Sequence, residues 1–127
     1  MKYLLDTDVV VDHLRGKVKL EKSIVSESVS ISIVSYGELI YGAEKSKEKG
    51  RTKILVKEFL QDLSIKILLL DRSIMEEYAK IKAELEIKGK KLDEFDLLIG
   101  ATAKVNSLVL VTRNRKHFER INGLRLS

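Results

Sequence analysis

Apolar residues in this chain fall into short clusters divided by polar stretches, and the clusters carry two different periods. Residues 2–5 form a brief run that ends at Asp6 and suits a buried strand. Residues 8–14 follow with Val9, Val10 and Leu14 at helical spacing, and a further helix is predicted over 18–25. At Val29, Ile31 and Ile33 the apolar side chains alternate with Ser30 and Ser32, the period of two that marks a strand. Ser35 stands three positions before Glu38, a capping-box spacing, just ahead of Leu39, Ile40 and Tyr41. A helix is therefore predicted to begin there and to run to about Glu44. Residues 45–50 read as a turn, and an amphipathic helix follows through Leu63.

Residues 65–70 make a third apolar run. Over 72–88, Ile74, Tyr78, Ile81 and Leu85 fall on one helical stripe, and Gly89 closes that helix. Residues 95–105 predict a helix rich in small side chains (Gly100, Ala101, Ala103), suited to close packing on a sheet. A buried strand over 108–111, a helical turn over 116–121 and a short strand over 124–126 complete the pattern. Strands that alternate with helices predict an α/β fold, with a mostly parallel sheet covered on both faces. No linker, repeat or low-complexity tract divides the chain, so residues 1–127 read as a single domain.

Sheets of this kind bind ligands beyond the carboxyl ends of their strands. Asp6 sits there after the first strand, with Asp8 two positions on. Glu38 follows the second strand, Asp96 begins the small-residue helix, and Asn114 follows the run over 108–111. Each has an ordinary structural role open to it: a turn or cap for Asp6, a cap for Asp8, the capping box for Glu38, and the helix dipole for Asp96. Their joint placement is the stronger signal. Carboxylates gathered at one edge repel one another, and a divalent cation both relieves that conflict and supplies a Lewis acid for phosphodiester cleavage.

Composition narrows the chemistry. The chain has no cysteine and only two histidines, His13 and His117. Disulfides, cysteine-held zinc and thiol nucleophiles are excluded, and the imidazoles are too few for a zinc hydrolase. Oxygen ligands favour Mg²⁺ or Mn²⁺. A net charge of +5 favours polyanionic partners. Arg113, Arg115 and Lys116 flank Asn114 and are placed to grip a nucleic-acid backbone, although a solvated basic loop explains each equally well. Lys45, Lys47, Lys49 and Arg51 read mainly as solvated surface. The opening segment is too short and too acidic for a signal peptide, and no 18 apolar residues run together. A cytoplasmic protein with no membrane partner is expected.

Four segments in order, LLDTDVVVDHL, SIVSYGELIYGAEKS, FDLLIGATA and LVTRNRKHFERINGLRL, resemble the PIN-domain family, and more narrowly the VapC-type toxins of toxin–antitoxin pairs. The resemblance implies a three-layer α/β/α sandwich and a Mg²⁺- or Mn²⁺-dependent endoribonuclease. It also implies inhibition by a cognate antitoxin, which would insert a basic side chain against Asp6 and Asp96, and assembly as a homodimer. Asp6, Glu38 and Asp96 fall on the family's first three acidic positions, and Asp8 stands where relatives often carry Asn. Ser35 and Thr112 fall where small hydroxyl residues commonly sit near metal waters. The fourth acid, expected at or near Asn114 or His117, is missing, although the Asn114 amide oxygen can still ligate or accept a hydrogen bond. One firmly held metal with a weaker or substrate-dependent second is therefore expected, and Glu38 or Asp96 orients or deprotonates the attacking water.

Structured RNA with exposed single-stranded loops is the expected substrate class. Three rival readings stand beside this one. Asp6-Thr7-Asp8-Val9-Val10 also resembles the opening of aspartyl-nucleophile phosphatases, but the last strand leads to Thr-Arg-Asn rather than to their acidic pair. A non-catalytic RNA-binding or protein-interaction member of the same fold would explain the missing acid. A PIN nuclease of RNA processing would share the chemistry. Leu55, Val56, Phe59 and Leu60 serve either a dimer interface or the core.

Overall fold

Strands and helices alternate along residues 2–127, the residues that the computed structural model describes. In chain order they are β1 (Lys2–Leu5), α1 (Thr7–Leu14), α2 (Lys22–Val25), β2 (Ser28–Ser32), α3 (Ile33–Lys45) and α4 (Lys49–Asp62). There follow β3 (Lys66–Leu68), α5 (Arg72–Ile87), α6 (Glu94–Val105), β4 (Val109–Val111), α7 (Arg115–Phe118) and β5 (Arg125–Leu126). The strands pair in the order β3-β2-β1-β4-β5, and every pair is parallel. Parallel neighbours need crossover connections. Helices provide them, and they cover both faces.

The two faces are written in the central strand. Leu4 and Leu5 are both fully buried, and because successive side chains of a strand point to opposite faces they enter different cores. Leu4 joins Ile74, Ile81 and Leu85 of α5, Leu97 and Ile99 of α6, Leu110 and Phe118. Leu5 joins Ile31 of β2 and Val10, Ile24, Leu39, Val56 and Phe59 from the helices of the first half. A three-layer α/β/α sandwich around a parallel sheet is the result. Gly100 lets α6 approach the C-terminal segment: a Cβ there would stand 2.6 Å from Ile121 Cδ1.

Several expected boundaries move. Residues 18–21 are irregular and α2 is a single turn, because Gly16, at φ +72°, ends α1 and the Leu20 amide donates to His13 Nδ1 at 3.1 Å. The alternation at Val29 and Ile31 stops at Ser32, and Ile33 already belongs to α3. The capping box predicted at Ser35 does not form. Ser32 caps α3 instead, its hydroxyl accepting from the Val34 amide at 3.0 Å, so Ser35 lies within the helix and Glu38 on its second turn. β3, α7 and β5 are shorter than the apolar runs that announced them. Asp6, not Asp8, is the N-cap of α1, and α6 begins at Glu94, two residues before Asp96. Val56 and Phe59 are core residues, leaving Leu55 and neighbouring Ile54 as the exposed large apolar side chains of α4.

Candidate active site

Chain order reverses across the sheet at β1: β2 and β3 lie on one side of it, and β4 and β5 on the other. A crevice opens beyond the strand ends at such a switch point. Asp6 leaves β1 and Thr112 leaves β4 at that place. The Asp6 amide donates to the Val111 carbonyl at 2.9 Å, which continues the ladder one step past the strands. Beyond it Asp6 Oδ1 accepts from the Thr7 amide at 2.9 Å, and Oδ2 accepts from the Thr112 hydroxyl at 2.7 Å. The Asn114 amide in turn donates to Thr112 Oγ1 at 2.9 Å. Thr112 thus ties the carboxylate of one strand to the loop of the next.

On the other side of Asp6, Thr7 is the bridge. Its Oγ1 stands 2.6 Å from Glu38 Oε1 and 2.9 Å from Ser35 Oγ. One hydroxyl proton serves one acceptor, and the carboxylate is the stronger of the two. Ser35 and Glu38 are three residues apart on α3 and so share a face. That face meets α1, which brings the second acid to the first.

Burial and crowding decide the protonation of the cluster. Asp6 is only 5% exposed, and burial, followed by the Asp8 charge, pushes its carboxyl up to about 7 despite the hydrogen bonds from Thr112 and Thr7. Asp96 adds a smaller upward push. The Asp96 carboxyl is itself raised, first by burial and then by Asp93, with Glu38 and Asp8 adding to the effect and His117 opposing it. His117 Nδ1 lies 3.8 Å from Asp96 Oδ2. Asp6, Asp8, Glu38 and Asp96 therefore feel one another across the crevice. The sequence assigned all of them to one site.

Two residues were not anticipated there. Thr7 was passed over, although its place between two acids is visible in the sequence. Asp12 is buried, and Arg113 Nε reaches its Oδ2 at 3.0 Å and Asp8 Oδ2 at 3.7 Å. An i, i+4 spacing of Asp8 and Asp12 on a predicted helix was the available signal. Arg113 thus faces the acids rather than standing free on its loop. Arg115 is exposed beside Glu119 at 3.9 Å, and Lys116 and Asn114 are exposed.

Whether a divalent cation suits these residues follows from their own state. Asp8 Oδ1 is buried and has no hydrogen-bond partner. Beside it the Asp6 carboxyl holds its proton toward neutral pH, because burial and then the Asp8 charge disfavour its ionised form. The donors are all oxygen, the set that a hard cation takes. Among the described residues no group of three or more His, Asp and Glu side chains would hold a metal ion as it stands. A divalent cation would supply the counter-charge that lets carboxylates draw together there. The residues fit the group.

The match to known proteins runs the length of the chain. The PIN-domain family model matches residues 3–124. The tRNA(fMet)-specific endonuclease VapC of Shigella flexneri is 33% identical over 128 residues, which span 98% of this chain and 96% of that protein. Ribonuclease VapC2 of Haemophilus influenzae is 34% identical over the same shares of the two chains. Among solved structures, a chain of VapBC2 from Rickettsia felis, bound to a DNA fragment from its promoter, superposes with a TM-score of 0.91 at 30% identity. It covers 100% of this chain and 98% of that one. With its switch-point acids and this end-to-end likeness, the chain belongs to the PIN-domain family, among the VapC proteins.

Proposed function

We propose that the chain is a divalent-metal-dependent endoribonuclease and the toxin of a toxin–antitoxin pair, with its catalytic centre at Asp6, Glu38 and Asp96. The observation that carries this reading is the convergence of acids from three separate elements on one switch-point crevice, with Asp8 Oδ1 left unpaired among them. Relatives named ribonucleases over nearly the whole chain support it.

A bound Mg²⁺ or Mn²⁺ supplies Lewis acidity against the phosphate charge and makes water easier to deprotonate. Asp6, Glu38 and Asp96 would hold that cation, with Asp8 as a further oxygen donor. Asp6 would hold it in the ionised form, and the Thr112 hydroxyl keeps that carboxylate in place. Thr7 and Ser35 orient Glu38. Glu38 or Asp96, facing the crevice, would orient or deprotonate the attacking water. Asn114 supports the site through its backbone bond to Thr112. Arg113, held by Asp12 and Asp8, sets positive charge next to Asn114, near which the fourth acid was expected, and that suits one firmly held metal. Arg115 and Lys116 remain exposed for the RNA backbone.

A structured RNA of tRNA type is the substrate class, in line with the name of the Shigella relative. The partner is an antitoxin, in line with the toxin–antitoxin complex from Klebsiella pneumoniae that shares the fold, and homodimer assembly of the toxin is part of the same proposal. Incubation of deproteinised tRNA with the full chain tests this. Discrete fragments should appear with Mg²⁺ or Mn²⁺, vanish with EDTA, and be absent for Asp96→Asn of native circular dichroism. Intact RNA under every metal condition would leave the chain a non-catalytic member of its fold.

A further inference from the structure

Two of the seven aromatic residues of this chain line one cavity that the catalytic reading leaves unused. The cavity measures about 910 Å³. Its polar end is Thr7 and Glu38, the bridge and the second acid of the site. Its remaining wall is apolar: Val34 from α3 and Leu98 from α6, with the rings of Tyr41 and Phe95 on those same two helices. Tyr41 is 63% exposed and Phe95 48% exposed, large values for rings of that size. Lys45 Nζ stands 5.1 Å from the centre of the Tyr41 ring, which places a cation at the rim.

We infer that this groove is a nucleobase-stacking subsite, in which Tyr41 and Phe95 receive bases of the RNA strand whose scissile phosphate lies at the acid cluster. The inference rests on the ribonuclease reading and adds to it how the strand is held. Neighbouring nucleotides cannot lie far from the phosphate being cut, and the groove opens at Glu38 itself. Carboxylates repel the backbone at one end, so binding must come from uncharged contacts and from cations beyond them. Aromatic rings supply the first, because every base has a π-face and single strands stack on exposed aromatic side chains. Lys45 supplies the second. The apolar wall offers no hydrogen-bond pattern to read base edges, so the groove holds a splayed base without selecting its identity.

The chain lacks tryptophan, which makes a direct test available. Tyr41→Trp and Phe95→Trp each give a single indole in the groove. Ile87→Trp gives a control, since Ile87 is exposed at the far end of α5, about 24 Å along that helix from its start. Each full-length variant is titrated in EDTA with an oligoadenylate octamer and with an abasic ribose-phosphate octamer of the same charge. The adenylate should quench both groove indoles, the abasic strand neither, and the control should respond to neither strand. Tyr41→Ala should raise KM for tRNA by about ten-fold and leave kcat within a factor of two. Equal responses to both octamers would overturn the subsite. So would groove indoles that respond only to the co-expressed antitoxin, which would make the groove a protein-docking surface. Stacking without any metal-dependent cleavage would uphold the subsite while removing the ribonuclease reading on its own.

Discussion

Asp6 concentrates the conflict at the heart of this site. Its carboxyl titrates near 7 in the fold and near 3.8 when unfolded, so between those values the folded chain binds the extra proton. Stability of the metal-free protein should therefore fall as pH rises from about 4 to 7 and level off above. Asp6→Asn should remove most of that slope, leaving the part due to the raised Asp96, and gain on the order of a few kcal/mol over wild type at pH 8, at about 1.4 kcal/mol per unit. Urea melts in EDTA from pH 4 to 8 check it, and parallel curves for the two proteins would refute it. Arg113 gives a second prediction. Arg113→Ala strands the buried Asp12 without its cation and should cost about 1–3 kcal/mol, most of which Asp12→Asn in the same background should restore. Melts of the two variants decide this. At this scale the sequence displayed the acids but not their supports. Thr7 meets Ser35 and Glu38 across 28 and 31 residues, and Arg113 meets Asp12 only because β1 and β4 are neighbours.

Helix ends show both how far local chemistry can be read and where it misleads. Gly89 was legible as a terminator, and the Lys90 amide does close back on the Leu85 carbonyl at 2.8 Å. Ser64 and Ser107 end α4 and α6 in the same way at φ 50° and 54°, with Ile65 bonded to Leu60 and Leu108 to Ala103. Serine gives no such signal, and it bears a strain there that glycine lacks. Ser64→Gly and Ser107→Gly should each stabilise the fold by about 1 kcal/mol, read as a rise in melting temperature. A fall in both would show that these backbones are held for another reason. The start of α3 misled because two serines competed for the cap. Ser35 had the better downstream spacing, but Ser32 stands where the strand ends and is wholly buried. Strand lengths were overestimated for a related reason: in β3 and β5 the apolar run continues into residues that cover the core from outside the ladder.

For the whole molecule, the alternation of strands and helices was enough to give a parallel sheet with two covered faces, because Leu4 and Leu5 can be satisfied in no other way. That topology then places the ends of β1 and β4 together and makes the switch point. The net charge of +5 has its consequence here as well. Binding of tRNA by Asp96→Asn in EDTA should weaken steeply with salt, and Lys116→Ala should lower the logarithmic slope by about one. An unchanged slope would take Lys116 off the RNA path. Strand order also determines what the account rests on most: acids distant in the chain share one cation. Calorimetric titration of Mn²⁺ into the full chain at pH 8 measures that directly. Wild type should bind one equivalent, with Asp6→Asn and Asp96→Asn each weakening it by ten-fold or more while circular dichroism stays native. Binding of Mn²⁺ with unchanged affinity in both variants would contradict the account.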